Sequence, residues 1–262
     1  MSNRVSPVEP TFQSAFQHQR KAVQSSRSSD LNGPPLGAFL RRYQDLHFDE
    51  QEASLIEGSA RLIHREQVGA HIRHQGDRET RPWIVASGWA CYARTLSSGI
   101  RQIFGFVLPG DTIGLASGPF AQKGSEIVAL TAIVLLDATA MKKALIESDG
   151  KHSSIRRACD AEQDLQEVRL LDQVVRLGQL SSIQRTAHLI LELHHRMDRA
   201  GLAHNGQFQL PLTQFQLGET LGLSLVHVNR TLQALRSRGL LVLKGGVAVI
   251  PDMDLLEHAA AA

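Results

Sequence analysis

Residues 213 to 250, "TQFQLGETLGLSLVHVNRTLQALRSRGLLVLKGGVAVI", leave the chain few ways to fold. Thr213 can cap a short helix over "QFQLGETLG", because a threonine oxygen accepts a free amide of the first turn. Gly222 ends that helix and allows a tight turn. Ser224 then caps a second helix starting at Leu225. "LVLKGGVAVI" follows as two short strands around Gly245-Gly246, a hairpin signal. Two short helices, a glycine turn and a following hairpin describe a winged helix-turn-helix.

The helical wheel of the second helix separates two roles. Val228, Leu232 and Leu235 share one face, with Leu225 near it, and are expected in the core. Val226, His227, Asn229, Arg230 and Gln233 fall elsewhere, within three turns of the helix start, the part that enters a major groove in proteins of this shape. Arginine pairs with guanine O6 and N7, asparagine with adenine, and histidine donates to a base or phosphate; valine can meet a thymine methyl. Residues 222 to 241 hold three arginines and no acid. A solvated face of ordinary arginines is the bland alternative. Against it stands the arrival in register of two caps, the glycine turn and the wing.

The rest of the chain divides by texture. Residues 1 to about 34 are rich in Ser, Gln and Arg and end in "LNGPP"; they bury little apolar surface and are expected to be mobile, with a short helix near "FQSAFQHQRKAV". "LGAFLRRYQDL" has helical spacing, and Asp49 can cap a second short helix, "EQEASLIEGS". From about 61 to 140, "RLIHREQVGAHI", "PWIVASGWACYARTL", "IRQIFGFVLPGD" and "EIVALTAIVLLDA" read as strands broken by turns, which predicts a roll or barrel. Residues 151 to 178 form a long helix in which Ala158, Ala161, Leu165, Val168 and Val175 recur at helical steps, with Leu170, Leu171, Val174 and Leu177 widening the stripe. Packing on its own domain and a dimer seam both satisfy that pattern. "SSIQRTAHLILELHHRM" is a further helix, capped by Ser181 or Ser182. The predicted fold is α+β: residues 35–150 a β-roll, 151–178 the long helix, 179–262 the winged helix-turn-helix.

Bulk properties narrow the function. Net charge is only +2, so a polyanion surface must come from local clustering. Two cysteines, Cys91 and Cys159, make no disulfide framework and no paired metal motif, and fit a reducing cytosol. No apolar run reaches membrane-spanning length and "MSNRVSPVEPTFQ" lacks a secretory apolar stretch, so a cytoplasmic protein with no membrane partner is expected. There is no P-loop, G-x-S-x-G or H-E-x-x-H, and two domains use nearly the whole chain, so no enzyme is expected.

"LPLTQFQLGETLGLSLVHVNRTLQALRSRGLL" resembles the DNA-binding domain of the Crp/Fnr superfamily of bacterial transcription regulators: Leu-Thr, then Gly-Leu-Ser, then Val-x-Arg-x-Leu, then Gly-Leu. "GIRQIFGFVLPGDTIGL" is similar to the β-roll segment that ends in Pro-Gly-Asp-x-x-Gly. The resemblance spans about residues 36 to 255. It implies a sensor of the cyclic-nucleotide-binding type, a homodimer joined along Ala158, Ala161, Leu165, Val168, Leu171 and Val175, and a two-fold symmetric operator with half-sites ~34–36 Å apart. It implies that Arg230 reads a base and that Thr213 and Ser224 touch phosphate. Gln214, Val226, His227, Asn229, Gln233 and Arg236 complete the expected DNA-facing set. RNA polymerase is the implied second partner. The family's usual Arg-Glu pair after the serine cap is absent, since Leu225 and Val226 stand there, so base preference should differ from the cyclic-AMP receptor's.

No effector is legible. Leu115 occupies the position of the family's ribose-binding glutamate, and Lys123 or Gly124 that of its phosphate-binding Arg-Ser. Lysine is not a bidentate arginine, and a buried phosphate without compensation is costly, so cyclic AMP is not expected. An iron–sulfur cluster needs about four thiolates, and the N-terminal segment has none. Haem needs one axial ligand, for which His71, His74 and Cys91 are the candidates; each is more simply an exposed or hydrogen-bonded histidine or a small buried hydrophobe. His188, His194 and His195 share a helix without a second ligating element, and no metal site is assigned. Phe104, Phe106, Leu115 and Phe120 hint at a collapsed or apolar pocket, although aromatics at strand spacing are usually core. The rival to a regulator is a protein-interaction or haem-sensing module whose winged helix has lost DNA binding.

Overall fold

In the computed structural model, which describes residues 35–77, 81–115, 124–147 and 151–261, each alternating run of the first half becomes one or two short strands. These are β1 (Ile63–Glu66), β2 (His71–Arg73), β3 (Trp83–Ser87), β4 (Ala90–Thr95), β5 (Arg101–Val107), β6 (Thr112–Ile113), β7 (Glu126–Ala129) and β8 (Ile133–Asp137). They form two antiparallel four-stranded sheets, ordered β1-β8-β3-β6 and β2-β7-β4-β5. Val85, Ile113, Ile127, Ile133 and Leu135 are buried together in one cluster of the roll. Each is a branched aliphatic on a pleated strand, where such side chains pack well.

Helices α1 (Gly37–Arg42), α2 (Glu50–Ser59) and α3 (Thr139–Glu147) close one side of the roll. Asp49 caps α2 in a reciprocal box with Glu52, as its sequence position suggests. The long helix α4 (Ser153–Gln179) begins with Ile155, Ala158 and Cys159 buried beside Ile84, Leu115, Leu136 and Met141. Ala158 therefore belongs to the core of its own chain, a correction to its place on the expected seam. Farther along α4 the stripe is bare: Val168, Leu170, Leu171, Val174 and Val175 are exposed, Ala161 is exposed and Leu165 half-buried. The start of α4 thus packs on its own domain, and the apolar stripe farther along is left uncovered in the single chain.

Helix α5 (Ser182–Arg199) starts in a capping box between Ser181 and Gln184 and buries Leu189, Ile190, Leu193 and Met197. Burial of such side chains stabilises by roughly 1.5–3 kcal/mol each. Around it stand α6 (Gln214–Leu221), α7 (Leu225–Ser237) and α8 (Met253–Ala261), together with a four-stranded sheet ordered β11-β12-β10-β9. Its strands are β9 (Ala203–His204), β10 (Gln207–Gln209), β11 (Val242–Lys244) and β12 (Val247–Val249). The wing hairpin β11–β12 turns at Gly245-Gly246, as expected. Strands β9 and β10 and helices α3 and α8 were not anticipated. One buried cluster joins Trp89, Cys91, Ile103 and Phe106 of the roll to Leu193, Phe208, Leu217, Val228 and Leu235 of the C-terminal part.

The expected mobile segment 1–34 and its short helix, and the positions of Phe120 and Lys123, lie outside the described residues.

Candidate nucleic-acid interface

The helix-turn-helix forms with the predicted caps. Thr213 Oγ1 accepts from the Gln216 amide at 3.1 Å, and Gln216 Oε1 accepts from the Thr213 amide at 2.8 Å. Gly222 takes the left-handed conformation at φ 65°, which a glycine adopts without steric cost, and turns the chain. Ser224 Oγ accepts from the His227 amide at 3.4 Å and pairs with His227 Nδ1 at 2.8 Å. That pairing fixes the imidazole at the start of α7.

Helix α7 buries Val228, Thr231 and Leu235 and packs Leu232 against the same core. Leu225 is 49% exposed, which corrects its placement near the core face; Thr231 takes the inward position instead. On the opposite side Val226, Arg230 and Gln233 lie within about 60° of one another at 100° per residue. All three are exposed, as are Asn229 and Arg236. Arg230 has no protein partner among the described residues, so its guanidinium is available. Gln214 at the start of α6 donates to Asn229 Oδ1 at 3.3 Å, which ties the two helices together on the exposed side. Thr213, Gln214, Ser224, Val226, His227, Asn229, Arg230, Gln233 and Arg236 are thus all exposed on or beside the helix-turn-helix.

The carbonyl end of α6 is held from three directions. Gln102 Nε2 on β5 donates to the Glu219 carbonyl at 2.6 Å and the Thr220 carbonyl at 3.3 Å. Gln173 Nε2 on α4 donates to the Thr220 carbonyl at 2.7 Å, and Arg185 Nη1 on α5 to the Leu221 carbonyl at 3.1 Å. Each would otherwise be a loose carbonyl at a helix end.

A second polar system runs beneath. Asp111 of the Pro-Gly-Asp turn accepts from the Leu108 amide at 2.7 Å, from Arg42 on α1, and from Arg196 on α5 at 2.6 Å. Arg42 also pairs with Glu162 of α4, to which Arg169 donates at 3.0 Å. Glu192 pairs with Arg176 at 2.7 Å and Arg196 at 3.5 Å. Burial opposes ionisation of Asp111, yet the Arg196 and Arg42 guanidinium groups hold its carboxyl below the usual range. Burial would likewise lower Arg42, but Glu162 and Asp111 drive it up. Sequence reasoning missed this network, since its members are scattered from residue 42 to residue 196 with no common spacing.

The haem candidates His71, His74 and Cys91 lie among local contacts within the roll. His71 and His74 stack on each other at 4.6 Å, with His71 Nδ1 3.5 Å from Glu126. Cys91 is fully buried, and burial pushes its thiol up to about 12, away from the thiolate a metal requires. Among the described residues no group of three or more His, Cys, Asp or Glu side chains is placed to hold a metal ion. No helix among them is long and apolar enough to cross a membrane.

A double-sheet roll, a long helix and a winged helix-turn-helix with an acid-free second helix define a class: DNA-binding regulators carrying a sensor-type domain. Residues 64–143 match the cyclic nucleotide-binding domain and residues 184–259 the Crp-like helix-turn-helix domain. The nitrogen fixation regulation protein FixK of Bradyrhizobium diazoefficiens is 30% identical over 220 residues, covering 82% of this chain and 88% of its own. The transcriptional activator protein FnrL of Cereibacter sphaeroides is 28% identical over 220 residues, covering 80% and 85%. The structure of FixK2 from Bradyrhizobium japonicum superposes with a TM-score of 0.64 at 28% identity, covering 76% of this chain and 97% of that one. The chain belongs to the Crp/Fnr superfamily of DNA-binding transcription regulators.

Proposed function

We propose that this regulator acts as a homodimer on a two-fold symmetric operator and reads it with α7. The observation that carries this reading is the exposed, acid-free face of Val226, Arg230 and Gln233, opposite the buried Val228 and Leu235. Arg230 is assigned to a guanine edge, Val226 to a thymine methyl, and Asn229 and Gln233 to neighbouring bases or phosphates. Thr213, Gln214, Ser224, His227 and Arg236 bind backbone phosphates, which fix register rather than sequence. Residues 35–150 act as the sensor domain, 151–178 as the dimerisation helix and 179–262 as the DNA-binding domain. Ala161, Leu165, Val168, Leu171 and Val175 form the dimer seam. RNA polymerase is the further partner and the cytoplasm the compartment; no catalytic step is assigned.

The sensor works without cyclic AMP. Leu115, where a ribose-binding glutamate would stand, is 3% exposed within an apolar cluster containing Ile84, Leu136 and Met141. That site offers a sugar hydroxyl no carboxylate, and an unpaired hydroxyl there would be costly.

The test is selection of duplexes from a randomised library by the purified protein, followed by titration across salt. A specific binder enriches a two-fold symmetric site and loses affinity steeply as salt rises. Failure to enrich any site, with and without added cyclic AMP, would sink the reading.

A further inference from the structure

Two side-chain amides meet on the exposed side of the helix-turn-helix. Gln214, the first residue of α6, donates through Nε2 to Asn229 Oδ1 on α7 at 3.3 Å, across 15 positions of sequence. Both residues are exposed, so packing does not force them together. The helices that carry them are closely held. The Thr213–Gln216 capping box fixes the start of α6. Between the helices the Leu223 amide donates to the Gly218 carbonyl at 3.1 Å. On the wheel of α7, Asn229 and Arg230 flank Val226, about 60° to one side and about 40° to the other at 100° per residue. Asn229 thus stands on the reading face and within reach of α6.

The terminal torsion of an asparagine is broad and roughly two-fold, so the amide can present either end. The two ends are opposite in kind, since Oδ1 accepts and Nδ2 donates. Which end faces a base is therefore set by what holds the other. Gln214 holds Oδ1, which leaves the Nδ2 donors for the groove. Beside it Arg230 only donates, Val226 does neither, and residues 222 to 241 contain no acid. In the major groove guanine and thymine carry a keto oxygen where adenine and cytosine carry an amino group. A donor presented there favours the keto bases. The bidentate pair of asparagine with adenine needs Oδ1 and Nδ2 together, and here Oδ1 is already engaged.

We propose that Gln214 is a positioning residue for base recognition: by holding Asn229 Oδ1 it presents the Nδ2 donor, so that each half-site carries guanine or thymine where Asn229 reads. The proposal rests on the assignment of α7 as the DNA reader and adds the class of base at one position and the residue that selects it. Gln214 Nε2 carries a second N–H, which remains for the phosphate assigned to it.

The test is selection from the randomised duplex library by full-length wild type, Asn229→Ala, Gln214→Ala and Gln214→Glu, with base preference read position by position. Melting curves report that each fold persists. Asn229→Ala should erase the preference at one position of each half-site, which identifies the base it reads. There the wild type should favour guanine or thymine roughly two- to tenfold, the size of one net hydrogen bond. Gln214→Ala frees the amide to turn and should shrink that preference to within about twofold. Gln214→Glu replaces the donor by an acceptor that pairs with Nδ2 and turns Oδ1 outward, so the preference should reverse to adenine or cytosine. Its carboxylate also repels phosphate, which lowers affinity for all sequences alike and leaves the ranking of bases to report the turn. A bond that merely stabilised the fold would move the melting temperature and no base. The inference alone is overturned, with the DNA-reading assignment intact, by any of three results: a wild-type preference for adenine or cytosine at that position, no position altered by Asn229→Ala, or the wild-type preference retained by Gln214→Glu. Enrichment of no duplex by any of the four proteins overturns the DNA-reading assignment and the inference together.

Discussion

Arg196 of α5 donates through one nitrogen to Asp111 at 2.6 Å and to the Phe106 carbonyl at 2.8 Å. The sharp turn that ends β5 is thereby bonded to the scaffold helix of the winged domain. Arg42 meets the other oxygen of the same carboxylate. One aspartate bridges two buried cations, Arg42 and Arg196, supplied by helices 154 positions apart in sequence.

Asp111→Asn should be severely destabilising. It keeps the shape but removes the negative charge that Arg42 and Arg196 share, leaving only Glu162 and Glu192 to face them, and breaking a buried pair from one side costs about 3–5 kcal/mol. Urea unfolding should show the loss. A change below about 1 kcal/mol, the range of exposed ion pairs, would mean that the cluster is hydrated rather than buried.

Arg230→Ala should weaken binding to a selected duplex by about 1–3 kcal/mol and relax the preference at one position in each half-site. A uniform loss across all sequences, with no relaxed position, would make Arg230 a phosphate ligand instead.

Leu171 and Val174 are 58% and 62% exposed in the single chain. Leu171→Glu/Val174→Glu should therefore leave the fold intact while converting dimer to monomer in analytical ultracentrifugation, because a dimer seam does not bury four unpaired carboxylates without large cost. A dimer that survives places the seam elsewhere.

Stability should fall with acid before ordinary carboxylates titrate. His188 and His194 are pushed down to about 4 by burial, with Arg176 adding to the first and His195 to the second. The unfolded chain takes up those protons near 6.5 and the folded chain does not, so their contribution is complete above that pH and lost as pH falls toward 4. Asp172 acts oppositely: burial, then Glu192, raises it to about 6, so its ionisation cost is relieved as pH drops through that value. Two histidines outweigh one aspartate, giving a net loss on the order of 2 kcal/mol between pH 7.5 and 5. Urea midpoints at the two pH values check the sign.

Gly218 sits inside α6, and a Cβ there would lie 2.7 Å from the Leu223 carbonyl oxygen across the turn. Gly218→Ala should cost about 1–3 kcal/mol by overpacking. Thermal melting should fall by roughly 2–4 °C for each kcal/mol lost. An unchanged melting temperature would show that the α6–α7 turn can relax.

Wherever local chemistry decides structure, the sequence was readable. Thr213, Ser224 and Asp49 cap where their neighbours said they should, and Gly222 and Gly245-Gly246 turn as expected. One local signal was overlooked: Asn205-Gly206, both at positive φ, turns β9 into β10, a strong hairpin dipeptide between short strands. Leu225 was misplaced because a wheel fixes angle but not where the neighbouring helix ends. Ala158 was misplaced because one apolar stripe is buried in its own chain at its start and exposed farther along. The Arg42–Asp111–Arg196 system and the Gln102 grip on α6 left no trace in spacing, since long-range polar pairs have no period.

The three-sided hold on the end of α6 has a mechanical consequence. Helix α7 has 13 residues and follows immediately after the Gly222 turn. At about 1.5 Å per residue it is a rod roughly 20 Å long. A tilt of about 10° about that pivot carries its far end roughly 3.4 Å, the rise of one base step along a strand. Displacements of Gln102, Gln173 or Arg185 too small to disturb any core would therefore be magnified into a change of reading frame along the groove.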